Sequence, residues 1–194
     1  MKIAITESQL KIFLQNVVNE LDIQKKPMVG KGTEHHIYPS KNNPDRVIKV
    51  GKPEIVELWV DIFKNYPEYF PKVFKVGIGK DNKTMFVEVE KLDTQTVIDE
   101  WETLEMALDN KFIDTDEGDG VDQLLKDSID NPKLNSEIKN YLSTRNKSIY
   151  HLYIRWNNFL TDVKNILKDK SESFDVHRYN FGYDLDGNIK ALDI

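Results

Sequence analysis

With 194 residues, 39% hydrophobic and 31% charged, the chain suits one compact domain or two small lobes around a real core. It contains no Cys, which excludes a disulfide framework, a thiolate metal site and a Cys nucleophile, and which fits a reducing cytoplasm. The net charge of −6 argues against binding a nucleic-acid backbone, and no run approaches the ~20 apolar residues of a membrane span.

The first segment interleaves its apolar residues with Lys, Glu and Gln, so it lacks the apolar core of a secretory signal. Thr6 and Gln9 have capping-box spacing, and Leu10, Phe13, Leu14, Val17, Val18 and Leu21 recur at helical intervals, which predicts a helix over 7–22. Pro27, Gly30 and Gly32 break that period, and "DRVIKVG" (45–51) follows as a β-rich run, giving a turn-linked pair of strands. From Pro53 the spacing of Ile55, Leu58, Trp59, Ile62 and Phe63 predicts a helix over 53–64, with proline in its first turn. The runs 73–78 and 84–89, separated by Gly79, Asp81 and Asn82, read as a β-hairpin.

Residues 94–170 are helical in composition, with breaks at "DTDEGDG" (114–120) and Pro132. In 147–168, Ile149, Leu152, Trp156, Phe159, Val163 and Ile166 form one apolar stripe. The chain finishes with strand, Asp186-Gly187 turn and strand. Residues 99–131 hold twelve acidic and two basic side chains, a local net of −10 that leaves +4 elsewhere, and read most simply as a solvated face. The acidic 114–120 stretch does not read as a calcium loop, because Gly118 and Asp119 stand where a ligand and then Gly are required. The order of elements predicts an α+β fold.

The final segment, "FDVHRYNFGYDLDGNIKALDI", carries the densest chemistry. Asp175, Asn180 and Asp193 offer hard oxygen donors of the kind Mg²⁺ takes, and a hairpin brings Asn180 towards Asp193. "DVHRYN" resembles the catalytic loop of the protein-kinase-like superfamily, in the form carried by aminoglycoside phosphotransferases and related small-molecule kinases. The resemblance implies Asp175 as the catalytic residue that accepts a hydroxyl proton, and Asn180 and Asp193 as metal ligands. His177 reads as a loop-bracing histidine rather than a base.

The amino-terminal half resembles the family in the same order. "GKGTEHHIY" (30–38) is similar to the glycine-rich loop over nucleotide phosphates, through Gly30 and Gly32, with His35 at the third glycine position. "RVIKV" resembles the strand of the phosphate-contacting lysine, which makes Lys49 the candidate. Glu54 and Glu57 share a face of the next helix, and spacing alone does not separate them as partners of Lys49, although Glu57 lies deeper in the helix. "VEVEKLD" (87–93) would be the adenine-binding hinge. The implied organisation is a nucleotide-binding N-lobe over 1–93 and a reduced, mostly helical C-lobe over 94–194.

The resemblance implies ATP and Mg²⁺ as cofactors and a small-molecule or protein hydroxyl as acceptor, with no nucleic acid or membrane partner. Family members continue past the metal-binding Asp, whereas Ile194 alone follows here, so the helical block 94–170 is expected to replace the usual substrate platform. Two activities fit: a minimal phosphotransferase, or a catalytically weak nucleotide-binding or protein-binding regulatory module. An acidic interaction protein with a chance motif is the blandest alternative, and it predicts no response to nucleotide.

Overall fold

Val- and Ile-rich runs punctuated by turns fill the first half of the chain, and amphipathic helices fill most of the second. The protein is known here as a computed structural model, which describes residues 30–31, 35–79, 83–108, 111–113, 120–169 and 174–193. The helix expected over 7–22, Gly32 and the acidic residues 114–119 lie outside the described residues. The fold is α+β, and the chain divides into two compact units between Lys91 and Leu92. Among the described residues, no helix is long and apolar enough to cross a membrane.

The first unit is an antiparallel sheet with one helix. Strands β1 (Gly30–Lys31), β2 (His35–Pro39), β3 (Arg46–Gly51), β4 (Val73–Ile78) and β5 (Met85–Glu90) lie in the order β1-β2-β3-β5-β4. The expected strand pair before Pro53 thus gains a third member, β1, whose two residues are too few to show an alternating pattern. Central strand β3 pairs on both sides, with Lys49 opposite Ile37 of β2 and Val87 of β5. The long β4–β5 ladder carries an irregularity between Val73 and Lys75.

Helix α1 (Pro53–Asn65) starts with its proline in the first turn, where a missing N–H costs nothing. It buries Val56, Trp59, Ile62 and Phe63, each worth roughly 1.5–3 kcal/mol when fully removed from water. Phe63 stacks on Phe70 at 5.5 Å between ring centres. Ile55 and Leu58, expected on the buried stripe, are only half-buried, and Val56 takes the inner position instead.

The second unit holds α2 (Gln95–Leu108), α3 (Val121–Asp130), α4 (Pro132–Ser143), α5 (Lys147–Asp169) and a short hairpin, β6 (Phe181–Tyr183) with β7 (Ile189–Ala191). Pro132 does not merely break the helical block. It opens α4, with the Asn131 side chain accepting from the Lys133 and Leu134 N–H groups at 3.1 Å each.

On α5 the buried face is Tyr153, Trp156, Asn157, Phe159, Leu160, Val163 and Leu167, while Ile149, Leu152 and Ile166 are only half-buried. The polar members of this face, Tyr153 and Asn157, are joined by hydrogen bonds to other helices. Tyr153 donates to Asn135 Oδ1 at 3.1 Å, Asn135 donates to Asn157 Oδ1 at 2.9 Å, and Asn157 donates to Ser128 Oγ at 3.2 Å. A satisfied network of this kind lets polar residues enter a core that hydropathy alone assigns to Ile and Leu.

Phe181 is the point where this core meets the hairpin. Its ring lies 5.6 Å from Trp101, 5.7 Å from Trp156 and 6.0 Å from Phe159, and Trp101 meets Trp156 edge-on at 5.1 Å. These aromatic contacts fix the residue that directly follows Asn180.

Candidate functional site

The loop 175–180 is held from within by few bonds. The Asn180 N–H donates to the His177 carbonyl at 2.8 Å, closing a short 3₁₀ turn, and Tyr179 N–H reaches His177 Nδ1 at 3.5 Å. Asn180 Nδ2 donates to the Asp175 carbonyl at 3.2 Å and to its carboxylate Oδ2 at 3.3 Å. The two residues singled out by their spacing are therefore in direct contact. With its amide nitrogen given to Asp175, Asn180 has its amide oxygen left as a donor atom for a cation.

The hairpin brings the third residue near. Phe181 is opposite Ala191, and Leu192 N–H donates to the Asn180 carbonyl at 2.7 Å, so Asp193 follows directly on the residue bonded to Asn180. Asp193 is half-buried and Asp175 is exposed. An amide oxygen and a carboxylate match Mg²⁺, which takes one or two protein ligands and completes its shell with water or phosphate. No group of three His, Cys, Asp or Glu side chains suited to a metal occurs among the described residues.

The outer side of this loop is anchored by carboxylates that the sequence does not mark. Arg178 donates from Nη2 to Asp122 Oδ1 at 2.8 Å and Glu105 Oε2 at 3.1 Å, and from Nε to Asp122 Oδ1 at 3.0 Å. Burial works against the Arg178 charge, yet Asp122 and Glu105 outweigh it and hold its pKa above the ordinary value. His177 Nε2 stands 3.7 Å from Asp122 Oδ2.

Glu100 secures the hairpin itself. It accepts from Tyr183 Oη at 2.7 Å and Trp156 Nε1 at 2.9 Å, and it pairs with Arg155. Burial, followed by the bond to Glu100, pushes the Tyr183 pKa up, so the phenol stays protonated and remains a donor. Asp93 closes the other edge. It exchanges backbone bonds with Tyr183 at 2.9 Å in both directions, while its carboxylate takes the Gln95 N–H at 3.0 Å at the start of α2. Helix α2 thus carries Glu100 and Glu105 to successive parts of the hairpin and its loop.

The sequence candidates of the first unit are placed differently. Gly30 lies in β1 opposite Ile37, and Gly32 lies outside the described residues. Lys49 is 1% exposed, with Nζ 4.0 Å above the Trp59 ring and 5.9 Å from that of Phe63. Such cation–π contact lessens the cost of burying an ammonium. Glu54 and Glu57 are both exposed. Helix α1 turns Trp59 towards the strand and leaves Glu57 on a groove of about 330 Å³ that Val76 and Met85 also line. No family model and no curated protein matches the chain.

Proposed function

We propose that the protein is a kinase-like phosphotransferase, dependent on ATP and Mg²⁺, that acts on a hydroxyl acceptor. The observation that carries this reading is the contact between Asp175 and Asn180 at the base of a hairpin that leads directly to Asp193. Asp175 is exposed and suited to orient the acceptor hydroxyl and receive its proton as the new O–P bond forms and ADP departs. Asn180 and Asp193 would hold Mg²⁺, whose charge offsets that of the phosphates. Gly30, Gly32 and Lys49 are the nucleotide contacts that the sequence resemblance supplies.

Lys49 favours a second reading, in which nucleotide binds without turnover. A lysine 1% exposed over Trp59 does not reach a phosphate unless it leaves that position. Such a protein would act as a regulatory nucleotide-binding module.

Thermal unfolding with ATP, with and without Mg²⁺, tests the site. A ligand at a hundredfold excess over its Kd stabilises the folded state by about 2.7 kcal/mol, so a Mg²⁺-dependent shift is expected in wild type and lost in Asp193→Ala. Asp175→Asn should keep the shift and abolish phosphate transfer or slow ATP hydrolysis. A shift without any turnover in wild type selects the regulatory module, and absence of any shift removes both readings.

A further inference from the structure

Arg178 lies between Asp175 and Asn180, yet its side chain is only 17% exposed while that of Asp175 faces solvent. One carboxylate grips it twice: Asp122 Oδ1 accepts from the guanidinium, and Asp122 Oδ2 accepts from the Arg178 backbone N–H at 3.2 Å. Glu105 adds a second carboxylate from another helix, since Asp122 is in the first turn of α3 and Glu105 is on α2. The planar guanidinium fork turns two such contacts into a fixed orientation, which a point charge does not.

Within the loop the Asn180 N–H donates to the His177 carbonyl at 2.8 Å, and the other internal bonds are long. Those from Asn180 to Asp175 are 3.2 and 3.3 Å, and that from Tyr179 to His177 is 3.5 Å. Val176 in the same loop is buried. Gly120 contributes by being small, because a Cβ there would stand 3.2 Å from Glu105 Oε1 and 3.9 Å from Arg178 Nη2.

We propose that Arg178, pinned by Asp122 and Glu105, is a positioning residue that holds Asp175, the proton acceptor, and Asn180, the cation ligand, in their working arrangement. This rests on the reading of Asp175, Asn180 and Asp193 as the phosphotransfer site. Residues that orient a metal ligand typically cost 10- to 100-fold in affinity or activity when replaced, and Arg178 would act on Asn180 in that way.

The test is a Mg²⁺ titration at saturating ATP, read by thermal stabilisation, on wild type, Arg178→Gln, Arg178→Lys and Asp122→Asn. Amide hydrogen exchange at Asn180 is measured on the same proteins without nucleotide. Arg178→Gln and Asp122→Asn are expected to raise the Mg²⁺ midpoint about 10- to 100-fold and to speed Asn180 exchange, with Arg178→Lys recovering only part of the loss. If Arg178→Gln does not fold, the near-isosteric Asp122→Asn carries the comparison. A folded variant with the wild-type midpoint overturns the proposal, even where exchange is faster, because Arg178 would then support the fold alone. If wild type shows no Mg²⁺ response, the phosphotransferase reading fails, and unchanged exchange at Asn180 would separately overturn the clamp.

Discussion

Asp184 shows how a single carboxylate is held in its charged form inside a turn. It accepts from the backbone N–H groups of Asp186 at 3.0 Å and Asn188 at 2.7 Å, and from the Asn188 side chain at 3.0 Å. Lys190 Nζ lies 3.4 Å away, and the two side chains are 8% and 7% exposed. Burial tends to raise the Asp184 pKa, but the Asn188 donors and the Lys190 charge outweigh it and leave it below the usual 3.8. The folded state therefore binds this proton less readily than the unfolded chain. Its stabilising effect is complete above the unfolded value of 3.8 and is lost as the pH falls through the lower folded value. Asp184→Asn should flatten that acid limb, as read from urea midpoints between pH ~6 and pH ~3. An equally steep limb in the variant would assign the acid sensitivity to other carboxylates, of which Asp93, lowered chiefly by the Thr96 hydroxyl, is one.

At the scale of elements, the hairpin β6–β7 owes its position to close approach as much as to its bonds. A Cβ on Gly182 would meet Leu92 Cβ at 2.5 Å and the Asp93 carbonyl oxygen at 3.2 Å, so a side chain there pushes against backbone. Gly182→Ala is expected to destabilise the protein by about 1–3 kcal/mol, the range for overpacking a tight site, in urea unfolding. Wild-type stability in that variant would mean that the Leu92 to Asp93 segment yields freely. The hairpin was legible because an Asp-Gly turn between two short strand-forming runs is a local signal, and Gly187 does sit at φ 81°. The buried face of α5 was legible only in part, because Tyr153 and Asn157 are admitted to the core by Ser128 and Asn135 on other helices.

For the molecule as a whole, two compact units divide the apolar residues between two cores. Ile62 represents the first and Leu160 the second, both 0% exposed. Each truncation to Ala is expected to cost about 2–5 kcal/mol in urea unfolding, and the double variant to lose the sum of the two within ~0.5 kcal/mol. A larger departure from additivity would show packing coupled between the cores. The charge distribution also changes meaning at this scale. The acidic segment 99–131, read as a solvated face, spends Glu100, Glu105 and Asp122 on Arg155, Arg178, Trp156 and Tyr183, which come from later in the chain.

By itself the sequence determined the α+β order of elements, the nearly complete bounds of α1 and α5, and the last hairpin with its Asp186-Gly187 turn. Each of these depends on residues a few positions apart, where helical period, strand alternation and turn chemistry act directly on the backbone. Tertiary structure decided that Lys49 lies over Trp59, and that Arg178 is clamped by Asp122 and Glu105, 56 and 73 positions away. Those contacts depend on which face each helix turns inward, and that is settled by the burial of whole apolar surfaces, with the polar partners then taking the places that packing leaves them.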